Sequence, residues 1–141
     1  MVNYISILSA SVLSFIVGML WYSPAFFGNK WAKLSGVDFK KPKNKSSVGI
    51  SMLLGFISTL VWASVFQYII LKLGFSGVAA GATLGFWFWL GFLATSLLGV
   101  VLWEGKPWIL YVLNATYWLV NLLVIGAALG YWAWEDWFIL K

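Results

Sequence analysis

In 141 residues the chain carries nine Lys or Arg and four Asp or Glu, against 62% hydrophobic residues, and that balance excludes a soluble enzyme core, a nucleic-acid-binding module and a disordered tail. The net charge of +5 comes from lysine alone, because Arg, His and Cys are absent. Without them there is no disulfide, no thiolate nucleophile, no imidazole base and no guanidinium to grip a carboxylate or phosphate.

Four runs are free of charge: residues 1–29, 46–71, 73–103 and 107–134. Crossing roughly 30 Å of hydrocarbon takes about 20 apolar residues at about 1.5 Å each, so every run has length to spare. The first helix is expected over Tyr4 to Tyr22, with Asn3 as its cap and Tyr22-Ser23-Pro24 as its stop, since proline disfavours helical geometry in the residue before it. It lacks a basic leader, and Trp21-Tyr22 stands where small cleavage-site residues belong, so it reads as a permanent span.

Residues 26–34 place Phe27, Trp31 and Leu34 on one helical face, with Asn29 and Lys33 opposite and Lys30 flanking. That pattern predicts a short amphipathic helix at the membrane surface. Residues 38–46 follow as a basic loop around Pro42. The second helix is expected over 48–71 behind Ser46 or Ser47, the third over 77–102 behind Ser76, and the fourth over 108–132 with Pro107 in its first turn. The expected fold is an all-α membrane protein: a single domain over 1–141 of four transmembrane helices in a bundle, with the interfacial helix after the first.

Seven lysines sit on one side, Lys30, Lys33, Lys40, Lys41, Lys43, Lys45 and Lys106; only Lys72 and Lys141 sit on the other. By the positive-inside rule the basic loop is cytoplasmic and both termini face outward across the cell membrane. The cluster over 40–45 reads as a topology signal, with anionic-lipid binding as an added role.

Small residues recur every fourth position: Ser6, Ala10, Ser14, Gly18; Ser51, Gly55, Thr59, Ala63; Gly77, Gly81, Gly85 and, after a shift, Gly91, Thr95, Gly99; and Gly126, Gly130. In lipid such seams let backbones approach closely. They predict helix packing within the chain and a homo-oligomer, with Gly77-Gly81-Gly85 as the first suspect for the contact between copies.

The 28 aromatic residues, 11 of them Trp, mostly fall at expected interface depths. Trp62, Trp87, Trp89 and Trp118 lie deeper, where an indole N–H needs a partner. Gln67, Thr59, Thr95, Asn114 and Asn121 are the candidates. Asn114 and Asn121 share a face with Tyr117 and Trp118, which reads first as interhelical hydrogen bonding and second as an apolar pocket with polar tips, its lining drawn from Trp87, Thr95, Asn114, Tyr117, Trp118 and Asn121.

All four acids lie outside the uncharged runs. Glu104 stands alone near the basic side, within expected reach of Lys30, Lys33 or Lys106. No acid–base pair, metal-ligand set or activated nucleophile is legible, so the expectation is no enzyme and no cofactor. The residues point to a non-enzymatic binding or interaction component with membrane lipid and a second copy as partners and no nucleic acid. A small transporter or channel for a neutral or weakly charged solute is the alternative.

The string Gly18-Met19-Leu20-Trp21-Tyr22-Ser23-Pro24-Ala25-Phe26-Phe27-Gly28-Asn29-Lys30-Trp31 resembles the DUF1761 family, small bacterial membrane proteins of unknown function. Residues 85–95 (GFWFWLGFLAT) resemble the family's third span, and Trp103-Glu104-Gly105-Lys106-Pro107 its Phe-Glu-Gly-(Lys/Arg)-Pro turn; Asn114, Tyr117 and Gly126 also fit. The resemblance implies four membrane helices and no established activity. The lysine-rich connector after Asp38 departs from it.

Overall fold

The computed structural model describes residues 3–37 and 45–139, with side chains over 3–37 and 47–133. Most of the basic loop expected over 38–46 lies outside the described residues. Among the described residues the chain is all-helical. Four helices are long and apolar enough to cross a membrane: α1 (Tyr4–Trp21), α3 (Lys45–Leu73, its apolar stretch Ser47–Leu73), α4 (Val78–Leu102) and α5 (Trp108–Ile139, its apolar stretch Trp108–Ala133). The short α2 (Gly28–Ser35) follows α1.

The ends follow local chemistry. Asn3 caps α1 by accepting from the Ile5 and Ser6 amides at 3.0 and 3.2 Å, and α1 stops at Trp21, just before Tyr22-Ser23-Pro24. Three other expected caps are corrected. Helix α3 starts at Lys45, before either serine; α4 is preceded by Gly77 rather than capped by Ser76; and Pro107 stands one residue before α5, its carbonyl accepting from the Leu110 amide at 2.9 Å. Gly77 takes this place because its φ of +94° suits only glycine, and its amide donates to the Gly130 carbonyl at 2.9 Å.

A further departure is inside α4. Residues Trp89–Ala94 form a π turn, and the extra residue rotates everything after it by about 100° relative to a continuous α-helix. The seam Gly91, Thr95, Gly99 starts six residues after Gly85 and lies off the buried face of Gly81 and Gly85. Thr95 is exposed, and a side chain added at Gly91 would meet nothing within 4 Å.

The tightest packing is α4 on α5. A Cβ on Gly81 would lie 1.9 Å from the Gly126 carbonyl oxygen, one on Gly126 2.1 Å from the Gly81 oxygen, one on Gly85 2.3 Å from the Leu122 oxygen, and one on Gly130 2.3 Å from the Gly77 oxygen. The two backbones touch, and only glycine permits it. This corrects the expectation that Gly77-Gly81-Gly85 faces a second copy: α5 of the same chain already fills that face.

Around this pair one apolar core gathers Ile7 and Ala10 of α1, Ala63, Phe66 and Ile70 of α3, Leu84 of α4, and Leu122, Ile125 and Leu129 of α5. Polar links tie the same layers: the Gln67 side-chain amide donates to the Asn3 carbonyl at 3.1 Å and to the Ser6 hydroxyl, and the Trp132 indole donates to Ser9 Oγ at 2.9 Å. Helix α3 is the least enclosed, with 6% of its apolar window buried against 39% for α5.

Candidate functional site

The segment Trp21 to Trp31 is a folded turn that sets α2 against the ends of α1 and α5. Ser23 holds the inside of the turn: its hydroxyl donates to the Leu20 carbonyl at 2.8 Å, and its own carbonyl accepts from the Phe26 and Gly28 amides at 3.1 and 2.9 Å. Gly28 is needed because a Cβ there would lie 2.2 Å from the Tyr22 carbonyl oxygen. Pro24 follows in the exposed bend, its carbonyl accepting from the Asn29 side-chain amide at 3.3 Å.

The turn sets Trp21, Tyr22 and Trp31 half-buried and leaves Phe26 and Phe27 exposed. Tyr22 lies edge-on to Trp31 (5.3 Å between centroids) and to Tyr117 (4.9 Å), and Trp21 packs on Phe27 at 4.8 Å. Residues 26 and 27, expected inside the short helix, belong to the turn, so α2 begins at Gly28. Trp31 and Leu34 are half-buried while Asn29, Lys30 and Lys33 are exposed, as the amphipathic pattern requires; Trp31, however, faces Tyr22 rather than only its surroundings.

A hydrogen-bonded chain backs these aromatics. Asn121, fully buried in α5, accepts from the Ser14 hydroxyl at 2.8 Å, and its amide donates to the Ser14 carbonyl at 3.2 Å and the Tyr117 hydroxyl at 3.0 Å. Closer to α2, the Tyr22 hydroxyl donates to Asn114 Oδ1 at 3.1 Å. Burial, and secondarily the neighbouring Tyr117, pushes the Tyr22 hydroxyl above the ordinary tyrosine range, so it stays a neutral donor. Gly18 gives Tyr117 room to lie on α1: a Cβ there would come within 3.1 Å of the tyrosine oxygen.

In front of this wall the α1 and α3 seams part. The two helices meet where the Ser11 hydroxyl donates to the Thr59 carbonyl at 3.3 Å and Phe15 packs edge-on to Phe56 at 5.6 Å; toward the α2 end, Ser14 and Gly18 on one side and Ser51, Gly55 and Thr59 on the other line a recess of about 660 Å3. Tyr22, Trp31 and Tyr117 form its aromatic side. The polar side-chain groups of its lining residues are hydroxyls and the Trp31 indole, none of them charged, so the site can orient a neutral or dipolar group inside an apolar space.

The six expected pocket residues do not gather into one site. Tyr117 lines the recess. Asn114 and Asn121 stand behind it, engaged with Tyr22, Ser14 and Tyr117. Trp118 packs on Trp62 at 5.9 Å, while Trp87 and Thr95 are exposed on α4, on the outward side of the π turn. Trp89 does find a partner, though not one of the expected side chains: its indole donates to the Ala115 carbonyl at 2.7 Å. The Tyr111 hydroxyl donates to Ala94 O at 3.1 Å, so α5 holds both ends of the π turn.

Glu104 and Gly105 form the turn between α4 and α5, away from the recess. Gly105 has φ +65°, which lets the Lys106 amide reach the Val100 carbonyl at 3.2 Å. The expected pairing of Glu104 with Lys30, Lys33 or Lys106 is corrected: among the described residues none of these ion pairs forms. Glu104, Lys30 and Lys33 are all exposed, where such attraction is weak.

Ser14 as a site residue, and the recess as a whole, are not legible in the sequence. The four-residue seams are, but a seam that closes and one that parts have the same spacing.

Four apolar helices of membrane-crossing length, packed through glycine and small polar residues, define a small membrane-spanning protein. The chain belongs to DUF1761, described as "Protein of unknown function", whose family model matches residues 5–130. No curated protein and no solved structure matches it.

Proposed function

We propose that the protein is a multi-pass component of the cell membrane, a four-helix bundle with α2 at the cytoplasmic boundary, that binds a lipid or another apolar molecule with a small polar end and performs no chemistry on it. The recess between α1 and α3 carries this reading. Its volume of about 660 Å3 falls within the range of small-molecule pockets, roughly 300–1,000 Å3. An apolar body fits between Phe15, Met19 and Met52, while the Ser51, Thr59 and Tyr117 hydroxyls offer a few oriented polar contacts. Side chains behind the aromatic wall are engaged with one another, which suits a preformed site.

The lysine distribution supports a cytoplasmic basic loop and outward termini. A homo-oligomer belongs to the same reading. With the glycine face of α4 used inside the chain, the weakly enclosed α3 is the surface left for a second copy.

The test is native mass spectrometry of protein extracted in gentle detergent, comparing wild type with Gly55→Leu. The first carbon added at Gly55 would lie 3.6 Å from Phe15, an ordinary contact, and the rest of the leucine side chain takes up space in the recess that Gly55 lines. Wild type is expected to retain an apolar molecule and the variant to lose it, with unchanged helicity. A ligand-free wild type, or equal retention by the variant, would overturn the reading.

A further inference from the structure

Hydrogen bonding within the chain leaves the recess with a largely electron-rich lining. Five of its lining side chains carry a hydroxyl, and four of those protons are already used. Ser14 donates to Asn121 Oδ1 at 2.8 Å, Tyr22 to Asn114 Oδ1 at 3.1 Å, Ser51 to the Ser47 carbonyl at 2.9 Å and Thr59 to the Phe56 carbonyl at 2.8 Å. What these groups still offer is oxygen lone pairs. The aromatic side adds π faces, which are negative as well. Tyr22 stands at 69° to the plane of Trp31 and at 61° to that of Tyr117, with centroids 5.3 and 4.9 Å away. Rings this steep to a shared neighbour make a corner, in which a rounded group touches more than one π surface. None of the lining residues is charged, and Met19, Val48 and Met52 are exposed, so the recess opens to the surroundings of the bundle along an apolar edge.

We infer that the molecule held in the recess carries a quaternary ammonium group, seated against Tyr22, Trp31 and Tyr117, with an aliphatic tail leaving between Met19 and Met52. The inference rests on the recess reading above and names the polar end of its occupant. A quaternary ammonium has no N–H to satisfy and spreads its charge over its methyl groups, so an uncharged wall of π faces and lone pairs suits it. A primary ammonium is a compact, strongly hydrated charge with three protons to satisfy, and it would lose more on leaving water. An anion would find at most the Tyr117 hydroxyl and the Trp31 indole as side-chain donors, and no cation on the walls. A hydrocarbon end would fill the space and gain nothing from the negative faces. The group has two sources, the choline headgroup of a lipid and a free amphiphilic cation, and both present the same trimethylammonium to the corner.

The test is isothermal titration calorimetry of the intact protein in an uncharged maltoside detergent. Octyltrimethylammonium is expected to bind more tightly than octylammonium, which has the same charge and tail, and more tightly than uncharged octanol. Choline should displace it, whereas the uncharged isostere of choline with carbon in place of nitrogen should not. Trp31→Leu keeps an apolar side chain and removes the ring. It should weaken octyltrimethylammonium about tenfold, the effect of one partly desolvated cation–π contact, and leave octanol unchanged. Trp31→Phe, which restores a π face, should recover most of the loss. Octylphosphocholine separates the sources: tighter binding than octyltrimethylammonium assigns the site to a choline headgroup, weaker binding to a free cation. Equal affinity for octyltrimethylammonium and octylammonium, equal displacement by choline and its isostere, or equal losses of all ligands in Trp31→Leu would overturn the quaternary ammonium and leave an apolar pocket standing. Undiminished binding in Gly55→Leu would overturn the recess reading itself, so the two failures are distinguishable.

Discussion

At the scale of single residues, the smallest possible change separates two kinds of glycine. Gly81 and Gly126 have their hydrogens against each other's backbone, so a methyl group on Gly81 would force α4 from α5 along its whole contact. Gly49, in α3, has nothing within 4 Å of an added Cβ and no positive φ. Gly81→Ala should therefore destabilise the protein by roughly 1–3 kcal/mol, the usual cost of overpacking. Gly49→Ala should leave it unchanged or stabilise it by about 0.5–1 kcal/mol through reduced backbone freedom in the unfolded chain. Unfolding by increasing fractions of denaturing detergent, followed by far-UV circular dichroism, reads both. Equal behaviour of the two variants would contradict the close approach. Both residues have the same type and lie in apolar helices; what separates them is the neighbour across the gap.

At the scale of elements, α4 is the helix whose periodicity is broken. The π turn over Trp89–Ala94 interrupts its regular hydrogen bonding and re-registers the face that follows. Two contacts from α5 hold it: the Ala115 carbonyl takes the Trp89 indole proton, and the Tyr111 hydroxyl donates to Ala94 O. Interhelical hydrogen bonds in membranes contribute about 0.6 kcal/mol on average. Tyr111→Phe should consequently raise amide hydrogen exchange in residues 89–95 severalfold with little effect on α1. An increase spread evenly over the chain would mean that Tyr111 supports the whole fold and not this turn. The family motif works at the same scale. Trp21, Tyr22, Ser23, Pro24, Phe27, Gly28 and Trp31 build one turn, so their joint occurrence reflects a single packed element beside the recess.

At the scale of the whole molecule, orientation rests on charge. The chain has no cysteine, so a single introduced thiol reports its own side. Lys33→Cys should be protected from a membrane-impermeant thiol reagent outside intact cells and labelled after permeabilisation, whereas Ser76→Cys, in the exposed connection between α3 and α4, should label from outside. Labelling of the Lys33→Cys variant in intact cells would invert the topology and put the recess on the opposite leaflet. The recess lies at the end of the bundle where the turn leads into α2. The basic residues and the opening between helices thus share one side of the molecule.

Four spans, their order and most of their ends were legible in the sequence, because length, apolarity and charge are properties of a segment and need no partner. So was the turn at Tyr22-Ser23-Pro24, where proline acts on its own neighbour. The partner of each glycine face, the parting of the α1 and α3 seams, the π turn and the engagement of Asn114 and Asn121 were decided by tertiary structure. Those outcomes depend on which surface lies opposite, and side-chain spacing along one helix is the same whether the facing helix is in contact or stands apart.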